Sequence, residues 1–125
     1  MTGGRRFCEP GYIWHFMDGL LRERGPFSCV VHGDADGLDT EVDAWAKARG
    51  IPVEPCAADW DGLKRKAGKR RNSTMLADHR PTICVVFPGG TGTADMLEKA
   101  HRAGVRVVKA QGLIEVASEV PLGDL

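Results

Sequence analysis

The apolar residues of the chain follow a helical period in four stretches. Between Pro10 and Gly25 they recur at every third or fourth position, which predicts an amphipathic helix that begins after Pro10 and ends before Gly25. The same spacing predicts a second helix that Gly50 ends, a third over residues 69–79 and a fourth that ends at Ala103.

Short apolar runs separate these helices and predict strands over residues 27–32, 51–57, 82–87 and 105–109. The order along the chain is therefore αβαβαβαβ. Short apolar strands that alternate with helices are typical of a parallel sheet covered on both faces. We expect an α/β fold, in which a mainly parallel sheet of four to five strands forms the middle of a three-layer αβα sandwich.

The start of the chain departs from this pattern. Thr2-Gly3-Gly4-Arg5 resembles the glycine turn that usually follows a first strand, yet only Met1 and Thr2 precede the glycines. Either the opening strand is truncated or the true start lies upstream. A truncated strand would leave sheet edges that favour pairing with another copy of the chain.

The length predicts one domain, residues 1–125, in which the tail 111–125 is either an edge strand or a loosely packed cap. The 17 basic and 17 acidic residues balance, so charge indicates no particular partner. No apolar run could span a bilayer and no signal peptide is evident, so we expect a cytoplasmic protein without a membrane partner. The four cysteines are widely spaced and predict neither a zinc site nor a redox pair.

The strand over residues 82–87 breaks into the segment we call the glycine loop, which consists of Pro88, Gly89, Gly90, Thr91, Gly92 and Thr93. Glycines allow a ligand to approach the backbone, and the helix that follows directs its positive end towards an anion. A phosphate group is the expected ligand of the loop. The loop matches neither the P-loop nor the dinucleotide fingerprint, and a tight turn without a ligand stays open as the alternative.

Two further loops, 33–39 and 58–68, should meet the glycine loop at the carboxyl edge of the sheet. In the first of them, Asp36 and Asp39 are either helix-capping residues or contacts to sugar hydroxyls. Calcium is not expected, because Trp45 stands where a closing glutamate is required. The sequence carries no metal signature and predicts no certain cofactor.

A basic run covers Lys64, Arg65, Lys66, Lys69, Arg70 and Arg71. Such a run usually faces solvent, and we expect Arg71 first to reach into the site while most of the others stay at the surface. Aromatic residues for base stacking are missing around it apart from Trp60, so nucleic-acid binding would rest on charge alone. The sequence contains no recognisable catalytic triad, although His32 ends a strand at the carboxyl edge of the sheet, where the loops meet.

Several of these segments occur together in one known family. They are Thr2-Gly3-Gly4-Arg5, His32-Gly33 with Gly37-Leu38-Asp39, Ala58-Asp59-Trp60, Ala67-Gly68 with Arg71-Asn72 and Met75, and Phe87 to Met96. In this order, over roughly residues 2–109, they resemble the YspA-type, YpsA-related branch of the SLOG superfamily, whose members are common in bacteria and their phages. The resemblance implies a Rossmann-like fold and a nucleotide or nucleotide-derived ligand at the glycine loop.

The same superfamily contains the LOG phosphoribohydrolases, whose signatures are Arg-Lys-x-x-Met and Pro-Gly-Gly-x-Gly-Thr-x-x-Glu. Arg71, Asn72 and Met75 match the first signature with Asn in place of Lys. The glycine loop matches the second until Met96, which stands at the glutamate position. A thioether cannot act as a base, so LOG chemistry would need Asp95, one residue away, as the catalytic carboxylate beside Arg71.

The leading hypothesis is a domain that binds a nucleotide through the glycine loop, as a sensor or a nucleotide-processing domain. The alternatives are a phosphoribohydrolase that uses Asp95 and a module that binds single-stranded nucleic acid. LOG relatives are commonly dimers, so the resemblance also implies a homodimer or higher homo-oligomer. The expected ligand-binding residues are Gly3, Gly4, Arg5, Gly33, Asp36, Gly37, Asp39, Asp59, Trp60, Arg71, Asn72, Pro88, Gly89, Gly90, Thr91, Gly92 and Thr93.

Overall fold

Helices and strands alternate along the whole described part of the protein. The structure is a computed structural model that describes residues 1–5, 7, 9–59, 62 and 66–110. In chain order its elements are α1 (Pro10–Arg24), β1 (Val30–His32), α2 (Leu38–Ala48), β2 (Val53–Pro55), α3 (Ala67–His79), β3 (Ile83–Val86), α4 (Thr91–Arg102) and β4 (Arg106–Lys109). The predicted α/β class and order of elements are confirmed.

The strands form two parallel pairs, β1 with β2 and β3 with β4, and residues 1–4, which we call the opening segment, lie between the pairs. On one side the Thr2 N–H donates to the Val85 carbonyl at 2.9 Å. On the other side the Met1 nitrogen donates to the Val31 carbonyl at 3.0 Å. The segments therefore lie side by side in the order β2, β1, opening segment, β3, β4.

The opening segment takes the place of a central strand but is too short to be one. Its only strand-like pairing among the described residues is an isolated parallel bridge between Thr2 and Val86. Thr2 thus pairs at the place where an opening strand was expected from the sequence. Because this segment joins the two pairs at their carboxyl ends, the outermost described strands are β2 and β4.

Helices cover both faces of the strands, α1 with α2 on one side and α3 with α4 on the other. Alternate residues of a strand point to opposite faces, so Val85 enters the first core cluster while Cys84 and Val86 enter the second. The first cluster is centred on Ile13, Met17, Leu38, Val42 and Trp45, and the second consists of Met75, Cys84, Val86, Met96 and Ala100. Three layers result, as predicted.

The observed elements differ from the expected ones mainly at their ends. The strand expected over 27–32 begins at Val30, because Val30 pairs with Val53, where its partner strand β2 begins. Helix α3 begins at Ala67, two residues earlier than expected. Gly68 lies in its first turn, where a glycine does not interrupt the helix.

Some sequence expectations lie outside the described residues, namely those for Cys8, Trp60, Lys64, Arg65 and the tail 111–125. Of the cysteines that the structure describes, Cys29, Cys56 and Cys84 are free thiols, and Cys84 is buried in the second core cluster. None of the helices in the described ranges has the length and apolar content that crossing a bilayer requires.

Candidate functional site

A cleft of about 890 Å³ opens at the carboxyl ends of the strands. The expected residues that line it are Gly3, Gly4, Arg5, Gly33, Asp39, Arg71, Asn72, Pro88, Gly89, Gly90, Thr91, Gly92 and Thr93. The structure therefore brings together the opening segment, the loop after β1, the start of α3 and the whole glycine loop.

The glycine loop directs the start of α4 into this cleft. Gly90 precedes the helix and no side chain caps it, while the first turn contains no acidic residue. The first helical hydrogen bond of this turn runs from the Ala94 N–H to the Gly90 carbonyl at 3.0 Å. The N–H groups of residues 91–93 therefore take no part in the hydrogen bonds of the helix. The positive end of a helix and unpaired N–H groups of this kind favour a negative charge nearby.

The glycines of the loop serve two different purposes. Gly89 is required by packing, because a Cβ there would overlap Thr93 Oγ1 and lie 2.7 Å from the Gly4 nitrogen. Gly90 and Gly92 line the cleft and have open space where a Cβ would stand. Packing does not explain these two glycines, and their bare backbone is what a close ligand would contact.

Arg71, on α3, links the ends of two strands to the cleft. Its Nη1 donates to the Gly33 carbonyl at 2.6 Å and to the Cys56 carbonyl at 3.3 Å. Burial lowers the pKa of Arg71, while the nearby carboxylate of Asp39 acts in the opposite direction. An arginine stays charged under such shifts, and Nη2 donates to no residue in the described part of the chain. This cation can therefore face an anion in the cleft.

Asn72 is 3% exposed and fixes the geometry around Arg71. Its Oδ1 accepts from Arg71 Nε at 3.0 Å, and its Nδ2 donates to the Gly92 carbonyl and to Asp95 Oδ2, both at 3.1 Å. The amide therefore joins α3 to the first turn of α4. Its contacts position the guanidinium relative to the glycine loop.

Asp39 carries a buried carboxylate and also lines the cleft. The residue is 6% exposed, and its Oδ2 accepts from the Gly33 N–H at 3.1 Å and the Ala35 N–H at 3.2 Å. Its Oδ1 is buried and has no hydrogen-bond partner among the described residues. Gly37 makes this arrangement possible, since it has φ +76° and a Cβ there would overlap the Arg5 carbonyl.

The two residues at the end of the LOG-like signature do not line the cleft. Asp95 Oδ2 pairs with Lys99 Nζ at 2.9 Å and accepts from Asn72, and Asp95 is not among the lining residues. Burial would raise the pKa of Asp95, but the hydrogen bonds from Lys99 and Asn72 outweigh burial and lower it. Met96 is 3% exposed and packs with Met75 in the second core cluster.

His32 stabilises the turn that leads to Asp39. Its Nδ1 accepts from the Asp34 N–H at 2.9 Å, and its Nε2 lies 2.7 Å from Asp43 Oδ2. Because Nδ1 is an acceptor, the proton resides on Nε2, which donates to the carboxylate. Hydrogen bonds from Lys47 and His32 lower the pKa of Asp43. His32 itself is 1% exposed and does not line the cleft.

Several expected ligand contacts lie beside the cleft rather than in it. Asp36 is exposed and lines a smaller adjoining cavity of about 220 Å³. Asp59 is also exposed, and its Oδ1 accepts from the Gly62 N–H at 2.9 Å. Of the basic run, Lys69 joins Arg71 in the lining, whereas Lys66 and Arg70 are exposed outside it.

The sequence analysis missed some lining residues, which are Met1, Thr2, Phe7, Ala35, Gly68, Lys69 and Met75. Phe7 packs against Phe87 with ring centroids 5.8 Å apart and gives the cleft an apolar wall. The feature of the sequence that could have identified Phe7 is its position shortly after the Gly3-Gly4 turn.

Comparison with known proteins gives one match. The model of a family described as YAcAr, the YspA, cpYpsA-related SLOG family, matches residues 1–62. The matched part includes the opening segment and Asp39 and ends before Arg71 and the glycine loop. No curated protein and no solved structure matches the chain.

Proposed function

Since the chain belongs to the YspA, cpYpsA-related SLOG family, we propose that its cleft binds a nucleotide or a nucleotide-derived ligand. Membership of this family suggests a domain that binds or processes such a ligand. The observation that carries the proposal for this chain is the uncapped start of α4, which faces the cleft through Gly90 and Gly92. The ligand phosphate binds there.

The charges around the loop support an anionic ligand. Arg71 presents a cation to the cleft, and Lys69 adds a second basic side chain at the same wall. The first turn of α4 contains no carboxylate that would compete for its N–H groups. Phosphate is the anion that a helix start with glycines and hydroxyls binds most readily.

The rest of the cleft suits a nucleoside. Phe7 and Met75 supply an apolar surface of the kind on which a base packs, and Asp39 supplies an acceptor. Binding is favoured over turnover because Asp95, the candidate catalytic carboxylate, is held by Lys99 and Asn72. A sensor or carrier of a nucleotide is therefore the preferred function.

Thermal-shift measurements test the proposal with nucleoside mono- and diphosphates, NAD and ADP-ribose. A ligand at 100 times its Kd stabilises the folded state by about 2.7 kcal/mol, or roughly 10 °C in Tm for a chain of this length. Gly90→Asp should abolish the shift, because it places a carboxylate beside the expected phosphate at a position with open space.

Gly11→Asp is the matched control, since Gly11 also has open space but is an exposed residue at the start of α1, outside the cleft lining. It should keep the full shift. The proposal is contradicted if none of the ligands stabilises the wild-type protein, or if Gly90→Asp responds to them as the wild type does.

The phosphoribohydrolase hypothesis requires Asp95 to leave Lys99 and Asn72 and turn towards the ligand. Release of free base from nucleoside monophosphates, lost in Asp95→Asn, would establish it. The nucleic-acid hypothesis rests on charge alone, and it requires affinity for single-stranded DNA that falls steeply as salt rises.

Self-association is part of the proposal, but the sheet edges are a poor place for it. The outer strand β2 is short and contains Pro55, and β4 exposes Arg106 and Lys109. Proline and charges at an edge disfavour strand pairing between copies. A dimer observed by sedimentation should therefore survive charge reversal at Arg106.

A further inference from the structure

One oxygen of the Asp39 carboxylate accepts hydrogen bonds, and the other has no hydrogen-bond partner among the described residues. Oδ2 accepts two backbone N–H groups, from Gly33 and Ala35, and these hold the side chain in place. Oδ1 is buried and unpartnered among the described residues, although the residue lines the cleft. A buried acceptor without a donor is unfavourable, and a ligand that supplies the donor recovers the lost hydrogen bond.

The surroundings of Asp39 favour a neutral donor over a metal ion. Gly33 connects Asp39 to a cation, because its carbonyl accepts from Arg71 while its N–H donates to Asp39. A positive guanidinium this close opposes a second cation. The described residues also contain no group of three or more metal-binding side chains. An O–H or N–H group of an anionic ligand remains as the donor.

Backbone bonds fix where Asp39 lies relative to the glycine loop. The N–H of Leu38, its neighbour, donates to the Gly4 carbonyl at 3.3 Å, and the Gly4 N–H donates to the Pro88 carbonyl at 2.8 Å. Gly4 is therefore bonded both to the residue before Asp39 and to the start of the glycine loop. Gly3 and Gly4 both line the cleft, as do Asp39 and the glycine loop, so one ligand can contact all of them.

In a nucleotide the group next to the phosphate is the sugar, which carries O–H donors. We propose that Asp39 Oδ1 accepts a hydrogen bond from a ribose hydroxyl and thereby makes the cleft selective for ribonucleotides over deoxyribonucleotides. This inference rests on the proposed function, whose phosphate position it uses. Arg71 lies beside Asp39 and offsets the repulsion between its carboxylate and the phosphate.

Calorimetric titration with a ribonucleotide and its deoxy forms tests the inference. The probes are the tightest-binding nucleoside 5′-monophosphate from a panel of four bases, together with its 2′-deoxy and 3′-deoxy analogues. Removing the hydroxyl that Asp39 binds should raise Kd about tenfold or more in one of the two analogues. Equal affinities for all three ligands overturn the inference.

Asp39→Asn replaces Oδ1 with an NH2 group and removes the negative charge of the side chain. Its amide oxygen can still accept from Gly33 and Ala35, while the NH2 group replaces Oδ1 and cannot accept from a hydroxyl. The variant should bind the ribonucleotide about tenfold more weakly and lose the preference for it. A preference that is undiminished in Asp39→Asn overturns the inference.

Asp34→Asn is the matched control, since Asp34 lies in the same loop but is exposed and outside the large cleft. It should keep both affinity and preference, and circular dichroism should show that both variants fold. The outcomes separate the two proposals. Binding without a ribose preference contradicts only this inference, whereas absence of any nucleotide binding contradicts the proposed function and this inference together.

Discussion

Replacement of Arg71 by methionine should destabilise the protein even without a ligand. The substitution keeps an apolar stem and removes the guanidinium. Nη1 then no longer donates to the Gly33 carbonyl, at 2.6 Å, or the Cys56 carbonyl, at 3.3 Å, and Nε no longer donates to Asn72 at 3.0 Å. The loop before Asp39 loses its connection to α3.

The magnitude follows from these bonds. A hydrogen bond from a charged donor contributes about 1.5–3 kcal/mol when buried, and Arg71 is only partly buried, so water replaces some of what is lost. The short bond to Gly33 and the bond to Asn72 carry most of the effect. We expect a loss of about 2–4 kcal/mol in the free energy of unfolding, or roughly 8–16 °C in Tm.

Urea unfolding of the ligand-free protein measures this loss. The control is Arg102→Met, because Arg102 is 71% exposed and forms one surface ion pair with Glu98. Its loss should stay below about 0.5 kcal/mol. If Arg71→Met costs less than about 1 kcal/mol, the guanidinium does not hold the strand ends together and this account of the site is wrong.

Three further predictions concern the core, the loop before Asp39 and the acid stability. Met96→Glu should lower the unfolding free energy in urea by about 3 kcal/mol or more, because it buries a carboxylate in an apolar cluster; a neutral effect would show that position 96 faces the cleft. Gly33→Ala should lower Tm by several degrees, since its Cβ would overlap the Arg71 guanidinium, and an unchanged Tm would contradict the close packing. Hydrogen bonds from Arg49 and Trp45 lower the pKa of Asp18 from 3.8 to about 2. This depressed pKa stabilises the folded state fully above about pH 4, and the contribution disappears as pH falls through 2. Asp18→Asn should therefore flatten the stability profile between pH 4 and 2 in urea titrations, and an unchanged slope would refute the ion pair.

The order of elements was predictable because each one has a complete local signal. The apolar face of α1 recurs over four turns between a proline and a glycine, and β3 is a continuous apolar run. The opening segment was not predictable in this way. Its pairing with Val85 and Val31 uses backbone groups of two residues, and a pattern two residues long has no period.

The candidate site was predictable where the sequence itself forms the ligand-binding feature. The glycine loop is such a case, because the strand, the glycines and the helix start are contiguous. Arg71 reaches Gly33 across 38 positions of the chain, and only the packing of α3 determines that contact. Likewise the sequence left Asp36 and Asp39 as equal candidates for the sugar. Burial and an unpartnered oxygen now single out Asp39.

Amide NMR of the glycine loop tests the central claim most directly. A nucleoside 5′-monophosphate that binds should shift the amide signals of Thr91, Gly92 and Thr93 more than those of α1, because their N–H groups are the donors that the helical bonds leave free at the start of α4. The matching nucleoside, which lacks the phosphate, should leave these three signals in place. If a nucleotide binds without moving them, or the nucleoside moves them equally, the phosphate does not occupy the start of α4 and the account fails.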